Sequence, residues 1–170
     1  MWGKIITAMV TPFDDKGNIN FAVLKELVNH LLKNNTSSIL VTGTTGEAPT
    51  LSEEEKLLLY EKTLEFVNNR VPVIAGVGSN CTETTVNFIK RVNNLSLDGY
   101  LVVVPYYNKP SQEGLYEHFK AIAGATTLPM MLYNIPGRTA INLLPQTVRK
   151  LAEIPNIVSI KEAAGVMDQV

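Results

Sequence analysis

Six short runs of apolar, largely β-branched residues punctuate the chain, at positions 5–10, 38–42, 71–77, 99–104, 129–133 and 157–160. Runs of this kind read as strands buried on both faces, as in a parallel sheet. Between them, apolar positions recur at helical spacing. Leu24, Leu27, Val28, Leu31 and Leu32 fall on one face of a first helix, and Leu57, Tyr60, Leu64 and Val67 on one face of a second. Start signals agree with these helices. Asn20 is placed to cap the first, Ser52 with Glu55 makes a capping box for the second, and Ser111 and Pro145 suit the beginnings of later ones. The acidic residues Glu53, Glu54 and Glu55 then form a solvated first turn that complements the helix dipole.

Strands alternating with helices, one unit about every thirty residues, predict an α/β architecture of right-handed βαβ units. Two such folds compete. A doubly wound open sheet is complete at 170 residues, whereas an eight-stranded (β/α) barrel usually needs about 250. Length and pattern alone favour the open sheet.

Composition narrows the partners more than the fold. With 45% hydrophobic residues the chain can bury one substantial core, so a single soluble domain over residues 1–170 is expected. Fifteen basic residues nearly balance sixteen acidic ones, and no cluster of Lys and Arg offers a footprint for nucleic acid or anionic lipid. Cys81 is the one cysteine, which rules out an internal disulfide framework, and the first residues lack the charged and apolar regions of a signal peptide. The expectation is a cytoplasmic protein with no nucleic-acid or membrane partner. His30 and His118 sit in helical patterns without metal-ligand spacing and read as satisfied or solvated imidazoles. Met130 and Met131 read as core filling.

The residues that change the picture sit where strands end. Thr44 and Thr45 come after the second strand, Tyr106 and Tyr107 after the fourth, Tyr133 ends the fifth, and Lys161 ends the sixth. In an α/β barrel the carboxyl ends of the strands share one face and carry the reacting groups. Lys161 at the end of an apolar strand is a candidate nucleophile, because burial disfavours the ammonium and a neutral amine adds to a ketone to form an imine. A lysine just past a strand end also snorkels to solvent, and the residue alone leaves both open. Gly43-Thr44-Thr45-Gly46-Glu47 is a turn suited to a carboxylate or phosphate, or an ordinary glycine-rich βα loop; it lacks the Gly-Lys-Ser/Thr ending of a Walker sequence. Tyr107 and Tyr133 are proton-relay candidates with Thr44, or amphipathic packing residues. Arg138 lies in a turn-rich loop, as a carboxylate ligand or a solvated surface group.

Three segments in order, Gly43-Thr44-Thr45-Gly46-Glu47, Tyr133-Asn134-Ile135-Pro136 and Ser159-Ile160-Lys161-Glu162-Ala163, resemble the superfamily of dihydrodipicolinate synthases and sialic acid lyases. The resemblance runs from about Ile5 to Gly165. Thr44-Thr45 and Pro136-Gly137-Arg138-Thr139 look like the synthase branch, since the lyases carry Ser-Thr in the first motif and lack this arginine. The implied fold is a (β/α)8 TIM barrel of which the chain supplies about the first six βα units, the family running on for two more strands with backbone groups near the site. A chain of this extent is therefore expected to expose open sheet edges prone to self-association.

The resemblance implies that Lys161 forms an imine with pyruvate and that Thr45 and neighbouring amides hold the pyruvate carboxylate. It implies that Arg138 binds aspartate 4-semialdehyde and that Thr44, Tyr107 and Tyr133 relay protons, with no metal or organic cofactor. The product would be 4-hydroxy-tetrahydrodipicolinate, on the way to diaminopimelate and lysine. The alternatives are another pyruvate aldolase of the superfamily, or an inactive truncated fragment. The tyrosine matching Tyr107 crosses a tight dimer interface in this family, so a homodimer or homotetramer is implied. Lysine-inhibited relatives carry serine at position 48, histidines at 53 and 56, and glutamate at 84. Ala48, Glu53, Lys56 and Thr84 stand there instead, although Asn80 and Tyr106 match, so weak or absent lysine inhibition is expected.

Overall fold

The computed structural model describes residues 2–169. These form two compact units, one of residues up to 76 with 95–98, the other of residues 77–94 with 99 onward.

In the first unit β1 (Ile6–Ala8), α1 (Phe21–Lys33), β2 (Ser38–Val41), α2 (Glu53–Val67) and β3 (Val73–Gly76) follow one another. The strands pair in parallel in chain order, Ile6 opposite Ser38 and Ile39 opposite Val73. β2 is buried along its whole length, as its unbroken apolar run requires. The caps are those the sequence predicts: Asn20 accepts from Val23 N–H, and Ser52 and Glu55 close a reciprocal capping box. The face of α2 differs from expectation. Leu59, Tyr60, Thr63 and Val67 are buried, whereas Leu57 and Leu64 are only half-buried. The helix turns its buried stripe toward Thr63 because Tyr60 must bring its phenol to the end of β2, where it meets Thr42 at 2.7 Å. Asp98 joins residues 95–98 to this unit by accepting from Val73 N–H at 2.8 Å through its carboxylate and from the Trp2 indole at 3.0 Å through its carbonyl.

In the second unit α3 (Thr82–Val92), β4 (Gly99–Val103), α4 (Gln112–Ala123), β5 (Met130–Asn134), α5 (Pro136–Thr139), α6 (Pro145–Leu151) and β6 (Ile157–Glu162) succeed one another. β4, β5 and β6 again pair in parallel in chain order. Ser111 caps α4 by accepting from Gly114 N–H, and Pro136 and Pro145 open α5 and α6. The core gathers Phe88 and Ile89 from α3, Leu115, Phe119 and Ile122 from α4, and Tyr100, Met130 and Leu132 from the sheet. Met131 is buried as well, so both methionines fill the core. Sequential order within each unit excludes a 2-1-3 winding, but a 3-2-1-4-5-6 winding shares it with a barrel.

His118 departs from expectation. It is only 5% exposed, its Nδ1 lies 2.8 Å from the Thr82 hydroxyl, and its Nε2 has no hydrogen-bond partner among the described residues. It is thus neither solvated nor fully satisfied, because packing beside Phe119 encloses the ring. Burial pushes its pKa down from 6.5 to about 4. The unfolded chain binds a proton near pH 6.5 that the folded one refuses until about pH 4, so stability is full above that window and falls as pH drops through it. Between pH 7.5 and 5 the loss should be about 2 kcal/mol, and His118→Gln should lack it. Urea unfolding at the two pH values checks this, and an equal loss in both proteins would contradict it.

Candidate active site

At the end of β2 the chain leaves the sheet through Thr42, a β-branched residue held at φ 53°. That left-handed conformation is unfavourable for such a side chain. It is maintained by buried polar contacts: Thr42 Oγ1 donates to Gly76 O at 2.9 Å and Tyr60 Oη to the same carbonyl at 2.9 Å. The reversal launches a tight turn closed by Gly46 N–H to Gly43 O at 3.1 Å, with Thr44 and Thr45 as its two central residues. Both are exposed, and the turn's own hydrogen bond uses neither of their amides. Thr11 Oγ1 donates to Gly46 O at 2.7 Å and pins the far side. The loop exposes two hydroxyl-bearing residues whose amides the turn's hydrogen bond does not use, an arrangement that suits a carboxylate.

In the second unit the structure brings two of the expected residues together. Tyr133 on β5 is directly opposite Lys161 on β6, and the Lys161 Nζ stands 4.3 Å from the centre of the Tyr133 ring. Lys161 lies inside the strand rather than beyond it, since β6 continues to Glu162, and it is half-buried. The ring face attracts a cationic nitrogen by about 0.5–2 kcal/mol, whether ammonium or protonated imine. A lysine whose amine rests on a neighbouring aromatic ring is held in place, which a snorkelling surface lysine is not.

Tyr107 follows β4, is 87% exposed and has φ 75°. Its N–H donates to Thr139 O at 3.4 Å, which ties its loop to α5. Arg138 is exposed on α5, so the turn-rich loop expected around it is a one-turn helix: Pro136 presets its first residue, and Thr139 and Ala140 N–H groups bond back to Ile135 and Pro136. The exposed side chain can meet a carboxylate from solvent. Thr44 and Thr45 belong to the first unit and Tyr107, Tyr133, Arg138 and Lys161 to the second. Thr44, Thr45, Tyr107 and Arg138 follow the carboxyl ends of their strands, and Tyr133 and Lys161 are the last residues but one of theirs.

Asn134 and Glu162, one residue beyond Tyr133 and Lys161, stand in the sequence motifs without a role assigned to them. Asn134 is fully buried, and its Nδ2 donates to both Glu162 carboxylate oxygens, at 3.1 and 2.9 Å. The signal was available: strand alternation puts them on the opposite face from the tyrosine and lysine, where a buried amide demands a partner. Among the described residues no helix is long and apolar enough to cross a membrane, and no group of three or more His, Cys, Asp or Glu could hold a metal ion.

A model of the dihydrodipicolinate synthetase family matches residues 1–170, the whole chain. A 4-hydroxy-tetrahydrodipicolinate synthase of Bacillus velezensis is 58% identical over 168 residues, which cover 99% of this chain and 58% of that protein. In three dimensions the chain is similar to a dihydrodipicolinate synthase from Bacillus anthracis, with a TM-score of 0.96 and 54% identity over 98% of this chain and 57% of that one. It is also similar to the chloride-inhibited dihydrodipicolinate synthase of Acinetobacter baumannii complexed with pyruvate, with a TM-score of 0.97 and 46% identity over 99% and 58% of the two chains. The chain thus spans a little under three fifths of the length of these relatives. The likeness decides the fold: the six strands and their helices are part of a (β/α)8 barrel, not a complete doubly wound sheet.

Proposed function

This chain belongs to the dihydrodipicolinate synthetase family, and from that premise we propose that the protein condenses pyruvate with aspartate 4-semialdehyde through an imine on Lys161, giving 4-hydroxy-tetrahydrodipicolinate on the route to diaminopimelate and lysine. The observation that carries this reading is the Lys161 Nζ resting 4.3 Å above the Tyr133 ring at paired strand ends.

The Lys161 amine adds to the pyruvate ketone and water leaves, forming an imine whose protonated nitrogen draws electrons from the neighbouring carbon. Loss of a methyl proton gives an enamine, which attacks the aldehyde carbon. The amino group of the semialdehyde then displaces Lys161 from the former ketone carbon, closing the ring and returning the free amine. Tyr133, beside the nitrogen, takes and returns protons with Thr44 and Tyr107, and Thr45 with the amides of its turn holds the pyruvate carboxylate. Arg138 receives the carboxylate of the semialdehyde. Because the imine nitrogen is the electron sink, this scheme assigns no organic cofactor or metal. The exposed Tyr107 supports completion of the site between subunits of a homodimer or homotetramer.

The test is a choice of aldehyde. With pyruvate saturating, aspartate 4-semialdehyde should be consumed at least about 100-fold faster than an N-acylated amino-sugar aldehyde, since a site built to bind a second carboxylate and amine rejects a neutral polyol. The opposite preference would place the protein with the other pyruvate aldolases of the superfamily.

Free lysine should inhibit weakly or not at all. Lys56 and Thr84 stand where lysine-inhibited relatives have a histidine and a carboxylate, so a ligand ammonium loses one attraction and meets one more cation. Initial rates across a lysine titration check this; inhibition in the range of sensitive relatives would contradict it.

A further inference from the structure

Resting on the function proposed above, we propose that Asn134 and Glu162 are positioning residues: a buried hydrogen-bonded clamp between β5 and β6 that selects one of two strand registers and so turns Lys161 to the face of Tyr133.

Two registers are open to β6 once Ile157 lies opposite Met130. In a regular ladder Ile160 would then pair with Tyr133 and Lys161 with Asn134. Neighbouring strand residues alternate faces, so this one-residue difference would put Ile160 beside the tyrosine and turn Lys161 away from it. The observed register is the other one. Val158 is skipped in a bulge, Ser159 pairs with Met131, Lys161 with Tyr133 and Glu162 with Asn134.

Apolar patterning goes part of the way toward the observed register, which pairs Ile157 with Met130 and Ile160 with Leu132, two fully buried residues. Val158 and Ile160 bracket Ser159, and the regular register would place both of them on the face that Lys161 now occupies. The bulged register instead interrupts the ladder and leaves Ser159 Oγ buried with no hydrogen-bond partner among the described residues. Both features oppose it.

Polar contacts fix it further. Besides the Glu162 carboxylate, Asn134 Nδ2 donates to Asn142 Oδ1 at 2.8 Å, and its Oδ1 accepts from Leu143 N–H at 3.0 Å. The Glu162 carboxylate also accepts from Ala164 N–H at 2.7 Å and from Gln169 Nε2 at 3.1 Å. In the regular register Asn134 would face a lysine, which offers donors only, and its buried amide hydrogens would lose the carboxylate. A buried donor left without its charged acceptor shifts such an equilibrium by about tenfold to a hundredfold. The clamp touches neither Lys161 Nζ nor the Tyr133 ring; it acts through the backbone, from the opposite face of the strands.

Asn134→Asp removes the donors while keeping shape, and sets two carboxylates face to face. In the full-length protein it should lower the limiting rate of borohydride-trapped pyruvyl adduct formation about 100-fold, the scale set by misplacing a reacting group by an ångström or so. The pyruvate concentration at half-maximal rate should change little. Adding Glu162→Gln to that variant returns a donor to face the introduced carboxylate, and the double variant should recover about tenfold of the loss. Amide exchange supplies a readout independent of chemistry: Ala163 N–H donates to Asn134 O at 2.9 Å only in the bulged register, so its protection should be lost in Asn134→Asp and regained in the double variant. Should Asn134→Asp fail to fold, Glu162→Gln alone carries the test, with about a tenfold loss and weakened protection at Ala163. Trapping at the parental rate with Ala163 still protected would overturn the proposal, as would a double variant no better than the single. If the unsubstituted protein formed no adduct, the functional reading would fall, while Ala163 would still decide the clamp.

Discussion

Lys161→Arg should leave no measurable condensation of pyruvate with aspartate 4-semialdehyde, a loss on the order of 10⁴–10⁶ in kcat, the scale on which removal of other covalent nucleophiles acts. Arginine keeps the charge and can rest on the Tyr133 ring, where the Lys161 Nζ lies 4.3 Å from its centre. What it lacks is an amine that loses its proton and adds to a ketone. The fold should survive, because Lys161 is half-buried and its strand is anchored from the other face by Asn134 and Glu162. Steady-state kinetics on the full-length variant, with a thermal melt to show that it is folded, checks both halves. A folded variant that kept more than a small fraction of the parental rate would mean that another group carries the chemistry.

Gly76→Ala should have the largest effect on stability for a change of one methyl group. A Cβ at Gly76 would stand 2.2 Å from Thr42 O and 2.8 Å from Thr42 C, both backbone atoms that no side-chain rotation can move away. Thr42 has no slack to offer, because its positive φ is held by the Thr42, Tyr60 and Gly76 hydrogen bonds. Overpacking of this kind costs roughly 3 kcal/mol, which for a domain of this size lowers Tm by about 6–12 °C. The displaced Thr42 peptide opens the turn that carries Thr44 and Thr45, so KM for pyruvate should rise as well. Differential scanning calorimetry and pyruvate titration test the pair of effects; an unchanged melting temperature would show that the end of β2 yields more readily than its contacts indicate.

The strand cores and the helix starts could be read from the residues, because apolar runs and capping side chains act locally. Asn20, Ser52 with Glu55, and Ser111 cap the helices that they were expected to cap. Strand ends were harder to read where function intrudes. β5 ends at Asn134 and β6 at Glu162, both beyond their apolar runs, because these polar residues find their partners across the two strands. The irregularity between β5 and β6 has no signature in composition, since register depends on which residues of two strands meet. Pro136 and Gly137 suggest a turn, yet proline at a first helical position is equally compatible with the single helical turn that carries Arg138. His118 looked unremarkable because nothing in its helical spacing announces that Phe119 and Thr82 would enclose it.

The sequence placed Thr44, Thr45, Tyr107, Tyr133 and Lys161 at the carboxyl ends of strands, and the structure has them there, while Arg138, expected in a loop, lies on α5. The cross-strand contact of Lys161 with Tyr133 was not legible, since it depends on the register of β6 against β5.

The central claim is that Lys161 is the group that bonds to pyruvate. The full-length protein should be incubated with pyruvate, reduced with borohydride, digested and mapped by mass spectrometry. A single pyruvyl adduct on the peptide containing Ile160-Lys161-Glu162, absent without pyruvate, is the predicted result; no adduct in folded protein, or an adduct on another lysine, would contradict it.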